Sequence, residues 1–165
     1  MSIEIKHKIT GKVLWTVDAD HLTGADLTGA ILRWANLTGA DLTGADLTRA
    51  DLSSIKSDFS LVLDAAPSEI PALLTALQAG KIDGQVYTGE CACLVGTIAN
   101  ARGCSPYAMP GLMPNGGRPA ERWFLAIKPG DTPDSNPVSK ITEGWILEWQ
   151  AAGTAEKTKG DCIEP

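Results

Sequence analysis

Leucine recurs every five residues in the first third of the chain, at Leu22, Leu27, Leu32, Leu37, Leu42, Leu47 and Leu52. Two residues before each stands an alanine, at Ala25, Ala30, Ala35, Ala40, Ala45 and Ala50, with Asp20 departing at the first unit. Between them lies Asp or Asn, at Asp26, Asn36, Asp41, Asp46 and Asp51, with His21 and Ile31 departing. A period of five fits neither the 3.6 of a helix nor the 2.0 of a strand, so neither amphipathic template accounts for it. It fits a coil in which each pentapeptide forms one side of a square and four sides close a turn. Leucine and alanine then point inward from every side, and the remaining positions face water. Residues twenty apart stack at about 4.8 Å, the spacing of neighbouring strands, which sets Leu22 against Leu42, Leu27 against Leu47 and Leu32 against Leu52.

The glycines agree with this geometry. Gly24, Gly29, Gly39 and Gly44 each follow a leucine by two residues, where a type II corner requires positive φ. Trp34, Arg49 and Ser54 hold the same place in other units, and corners of another type are expected there. One column of the stack reads Trp15, Ala35, Ile55, bulky at its ends and small in the middle. Trp15 and Ile55 are therefore expected to plug the coil ends, because an open solenoid end must be covered.

These residues resemble the pentapeptide-repeat family, whose pattern is Ala, Asp or Asn, Leu and two variable positions. The resemblance runs over residues 20–54, with frayed units extending it to about 15–59, and implies a right-handed quadrilateral β-helix. Some members of that family are long solenoids that imitate duplex DNA and bind topoisomerases through acidic stripes. Here Asp26 stacks on Asp46, but Asp41 meets His21, Asp51 meets Ile31 and Asn36 meets Lys56. The coil would span only about 10 Å, against roughly 34 Å for one turn of duplex. DNA mimicry by the repeat is thus a minor alternative.

Before the repeat, Ile3 and Ile5 alternate with polar residues, Thr10-Gly11-Lys12 supplies a turn, and residues 13–17 run apolar, which predicts a β-hairpin cap over 1–18. The β-helix is expected over 19–59, an α+β domain over 60–152 and a flexible tail over 153–165. In the second domain, Leu73, Leu74 and Leu77 mark a helix stopped by Gly80, and the apolar stretch after Cys93 suggests a buried helix. Residues 85–88 and 122–128 read as strands by composition, and residues 107–119 as a long surface loop. Asn136-Pro137 opens a final helix.

The chain carries 20 acidic and 14 basic residues, a net charge of -6. Residues 1–56 hold seven acidic and six basic side chains, so the other thirteen and eight fall in 57–165, and the acidity belongs to the second domain. An acidic chain has no general attraction for nucleic-acid backbones or anionic lipid, and no apolar run reaches membrane-spanning length. Direct nucleic-acid and membrane binding are therefore not expected, and the chain reads as cytoplasmic.

Cys91 is the one candidate nucleophile, set with Cys93 between a strand candidate and a helix candidate, where a helix N-terminus lowers a thiol pKa. The chain's two histidines, His7 and His21, lie outside that domain, so His21 would have to reach across as its base. The alternative is that Cys91 and Cys93 are small buried hydrophobes. Cys91, Cys93, Cys104 and Cys162 also invite comparison with a zinc site, but the one-residue inner spacing is shorter than structural zinc sites use. A disulfide between Cys93 and Cys104 would be unexpected in a reducing compartment. No cofactor or metal is expected. The first expectation is a non-catalytic protein-binding module, bacterial or phage in type and regulatory or inhibitory in role. Trp34 and Arg33 are its candidate contact residues, and a homodimer through a coil end is a further expectation. The second expectation is a cysteine-dependent enzyme using Cys91.

Overall fold

A computed structural model describes residues 2–7, 10–18, 21–25, 27, 29, 30, 32, 45–47 and 49–153. The chain enters as a hairpin of β1 (Ser2–Lys6) and β2 (Val13–Asp18), antiparallel, with Ile3 opposite Val17 and Ile5 opposite Trp15. Ile5 is buried, and Trp15 and Val17 pack against the same core. This follows from period-two alternation, which puts these side chains on one face of the ribbon. The turn is closed by the His7 carbonyl, which accepts from Gly11 N at 2.9 Å, with Gly11 at φ 68°.

In the repeat, two sets of backbone hydrogen bonds show how successive turns stack. Leu27 N donates to Asp46 O and Asp46 N to Ala25 O, at 2.8 and 2.9 Å. Leu32 N donates to Asp51 O and Asp51 N to Ala30 O, at 3.2 and 2.8 Å. Each pair brackets an offset of twenty residues, with 46 − 27 = 19 on one side and 46 − 25 = 21 on the other. The corners are closed by bonds from Ala25 N to Leu22 O, Ala30 N to Leu27 O and Ala50 N to Leu47 O. Gly24 and Gly29 sit at φ 68° and 71° in the third place of these turns, the type II position. Arg49 takes that place at φ 59°. The expectation of a different corner at Arg49 is thus corrected: stacking and the Ala50 to Leu47 bond impose the glycine conformation on an arginine. Ala25, Leu27, Ala30, Leu32, Ala45 and Leu47 are buried. Leu37, Leu42, Ala35 and Ala40 lie outside the described residues, as do Trp34 and Arg33.

The coil passes directly into α1 (Ser53–Ala65). Asp51 links the two, because its backbone belongs to the stack while its carboxylate accepts from Ser53 N and Ser53 Oγ at 3.1 and 2.7 Å. Ser54 is therefore helical and forms no corner, and Ile55 lies buried on a helix rather than on a coil side. There follow α2 (Ile70–Gln78), α3 (Leu94–Arg102), a 3-10 turn (Pro106–Ala108), α4 (Pro119–Phe124) and α5 (Pro137–Ala151). α1 packs on α4 and α5, and α2 packs on α3 and α5. Phe59, Phe124, Trp123 and Trp145 form an aromatic centre, with neighbouring ring centroids 5.6–6.0 Å apart. No helix among the described residues is long and apolar enough to cross a membrane.

The α+β expectation for this second unit is corrected. Among described residues 53–153 the only β pairing is an isolated bridge between Ile82 and Ala92. Residues 85–88 form a loop there, and the segment expected as a strand at 122–128 begins inside α4. The helix wins because Pro119 pre-sets its first turn and Asp58 of α1 accepts from Ala120 N at 2.9 Å. That cap comes from another element, 62 residues away in the chain.

Candidate functional site

The only chemical candidate in the sequence, the Cys91-x-Cys93 pair, sits at the entry to α3. Cys93 is the N-cap residue of that helix, with its own N–H donating to Val86 O at 2.7 Å and its carbonyl accepting from Thr97 N at 2.8 Å. The close fit depends on Gly96: a Cβ there would stand 2.3 Å from the Tyr87 carbonyl oxygen. Cys93 is 2% exposed. Burial pushes its thiol up to about 11, backbone N–H groups of the helix start pull weakly the other way, and the Glu121 carboxylate adds to the upward push. At neutral pH it is a protonated thiol, so the helix N-terminus does not make Cys93 a nucleophile.

Cys91 is a half-buried free thiol. Beside it stand Glu90 and Lys81, an exposed pair bonded at 2.8 Å. The hydrogen bond and charge of each hold the Glu90 carboxyl below and the Lys81 ammonium above their ordinary values. Each is occupied by the other. His21 is exposed at the entry to the coil, and His7 accepts from Thr10 N within the hairpin turn. Among the described residues no group of three or more His, Cys, Asp or Glu side chains is placed to hold a metal ion. Cys93 is free and Cys104 is disulfide-bonded, so a Cys93 to Cys104 bridge does not form. Cys162 lies outside the described residues.

No local pattern in the sequence points to the polar network around Glu121. Glu121 of α4 is 4% exposed, accepts from Tyr87 Oη at 2.8 Å and from Asn115 N at 3.1 Å, and lies 3.7 Å from Arg118 Nη1. Burial raises the Tyr87 phenol, and its bond to Glu121 raises it further. Asn115 bonds tie the 107–119 segment to α4, and Met109 and Leu112 of that segment are buried, so the expected surface loop is in part a core segment. A second buried pair, Glu69 with Arg102, ties the start of α2 to the end of α3 through bonds of 3.2 and 3.3 Å.

The acidic residues of 57–153 turn out to be largely spoken for inside the fold. Asp58 caps α4, Asp64 accepts from Trp149 Nε1, Asp83 from Gln85 N and Glu143 from Gln78. Asp131 accepts from Lys128 N and Asn136, and Glu148 pairs with Lys56. With Glu69, Glu90 and Glu121 that is nine of ten, leaving Asp134 outside the bonds found among the described residues. These nine carboxylates each take part in a bond within the fold.

Where the last coil turn meets α5, Leu47, Ala50, Leu52, Ile141 and Trp145, with Asp51, Ser53 and Lys56, line an open groove of about 420 Å³.

The family model described as "Pentapeptide repeats (8 copies)" matches residues 21–53. The match covers 33 of the chain's 165 residues and is to the repeat alone. Comparison with curated proteins and with solved structures finds no match for the chain.

Proposed function

We propose that the protein is a non-catalytic interaction module, in which a short right-handed quadrilateral coil is a rigid edge fixed to a helical unit that engages another protein. The observation that supports this best is Asp51. Its backbone bonds to Ala30 and Leu32 in the repeat while its carboxylate accepts from Ser53 N and Oγ in the first turn of α1, so one residue joins the repeat to the helical unit. The protonated, enclosed state of Cys93 and the mutual pairing of Lys81 with Glu90 weigh against thiol catalysis.

In this reading Trp15 and Ile55 plug the coil from the hairpin and from α1, which leaves little apolar end surface for a homodimer. The junction groove at Trp145 is the contact surface; Trp34 and Arg33, which lie outside the described residues, stay further candidate contacts. A regulatory or inhibitory role in bacteria or their phages fits a small rigid binder of this kind.

The test compares partners retained by the intact protein and by Ile141→Glu, which charges the groove while leaving the coil sequence unchanged. A single stoichiometric protein partner, lost in the variant with folding preserved by circular dichroism, is expected. Retention of no partner at low salt, or equal retention by the variant, counts against the proposal. Rapid labelling of Cys91 by an electrophilic probe near neutral pH, with saturation by a small substrate, would favour the enzyme instead.

A further inference from the structure

An asparagine followed by glycine can lose its side-chain amide without an enzyme, because the next backbone nitrogen reaches the amide carbon where no Cβ shields it. The surroundings of each pair decide whether this happens. Asn136 is buried and precedes Pro137, which has no N–H. Asn100 precedes Ala101 inside α3. Asp83-Gly84 suits the related isomerisation, and Asp83 Oδ1 accepts from Gln85 N at 3.0 Å. Gly84 N, however, donates to Ile127 O at 3.0 Å, and a Cβ at Gly84 would stand 1.8 Å from the Phe124 carbonyl oxygen. Its nitrogen is engaged and its backbone enclosed.

Asn115-Gly116 carries neither restraint. Asn115, Gly116 and Gly117 are exposed, and a Cβ at Gly116 meets nothing within 4 Å. Among the described residues no hydrogen bond engages Gly116 N. Gly117 N donates to Asn115 Oδ1 at 2.9 Å, which sets a donor on the oxygen that turns anionic when the amide carbon is attacked.

We propose that Asn115 is a self-modification site, left open by the fold to intramolecular loss of ammonia, and that the product unfastens the 107–119 segment from α4. Gly116 N loses its proton and bonds to Asn115 Cγ, the Cγ–Nδ2 bond breaks, and ammonia leaves with that proton. Water then opens the cyclic imide at either carbonyl. Aspartate results when the Cγ–N bond breaks, and isoaspartate when the backbone C–N bond breaks. The net change is one water consumed and one ammonia released.

Either product places a carboxylate on the residue whose N–H donates to Glu121 at 3.1 and 3.3 Å. Glu121 is buried and already accepts from Tyr87 Oη, so a second anion beside it is repelled. Isoaspartate also reroutes the main chain through the former side chain, and the carbonyl that accepts from Arg118 N at 2.8 Å becomes a free carboxylate. The bonds holding the segment to α4 weaken together, and Met109, buried in the intact chain, is uncovered.

The test ages the full chain in neutral buffer at physiological temperature and maps its peptides, with short peptides of residues 112–118 and 80–87 as unfolded references. The peptide containing residue 115 should become one mass unit heavier at a rate close to its reference, while Asp83 isomerises in its reference and persists in the folded chain. Gly116→Ala, whose methyl enters open space, should fold normally and slow the loss on the order of tenfold. An Asn115 amide that survives in the folded chain while its reference peptide loses it overturns the site, as does an equal rate in Gly116→Ala. The consequence is read by separating aged chains through their added charge and treating them with peroxide. Oxidation of buried Met109, relative to exposed Met113, should be on the order of tenfold faster than in fresh protein. An unchanged ratio overturns the unfastening.

Discussion

Arg49 carries a conformation that its side chain does not favour. At φ 59° it stands where Gly24 and Gly29 stand in their corners, and an L-residue there costs about 1–2 kcal/mol. Glycine relieves the strain but loses more entropy on folding, so Arg49→Gly should stabilise by about 0.5–1 kcal/mol. The converse change is cleaner. A Cβ at Gly29 meets nothing within 4 Å, so any loss in Gly29→Ala comes from backbone alone, about 1–2 kcal/mol. Chemical denaturation of both variants checks the pair. An unchanged midpoint for Gly29→Ala would show that the corner tolerates a side chain.

Elements of the helical unit are joined by contacts that no local pattern encodes. Glu69 and Arg102 are 2% and 3% exposed, and removing one partner strands a buried charge. Arg102→Met should therefore cost about 3–5 kcal/mol, and pairing it with Glu69→Leu should recover most of that loss. A double-mutant cycle by urea unfolding measures the recovery, and additive losses would mean that the pair is not coupled. Gly96 makes a second such joint. Its added methyl would enter the Tyr87 carbonyl at 2.3 Å, with no flexible side chain to yield. Gly96→Ala should lower stability by more than about 3 kcal/mol and loosen the Cys93 site, seen as faster Cys93 alkylation. Asp58 capping α4 belongs to the same class of contact, and it explains why a segment with strand-like composition became helix.

For the molecule as a whole, alkaline pH is the revealing variable. Cys93 titrates ordinarily at 9.0 and Tyr87 at 10.0, and the fold raises the first to about 11 and the second further. The unfolded chain therefore gives up these protons first. Stability is whole below about pH 9 and declines as pH rises through the folded values. Tyr87→Phe should be less stable at pH 7, through its lost bond to Glu121, and should decline less steeply above pH 10. Thermal melts across pH 7–11 test this, and identical slopes would remove Tyr87 from the account. The leucine period by itself pointed to stacked repeats, and the backbone bonds between residues about twenty apart agree with it, because each unit repeats the same local instruction. The hairpin was legible from alternation around a glycine turn, and α5 from Asn136-Pro137 ahead of an apolar face. Tertiary structure alone decided that the second unit is helical, that its acidic residues are bonded within the fold, and that Cys93 is a protonated thiol. In each case the deciding surroundings are remote in sequence: Asp58 for α4, Arg102 for Glu69, and burial, with Glu121 adding to it, for Cys93 and Tyr87. Local composition reports what a residue prefers, and burial beside a distant partner determines what it becomes.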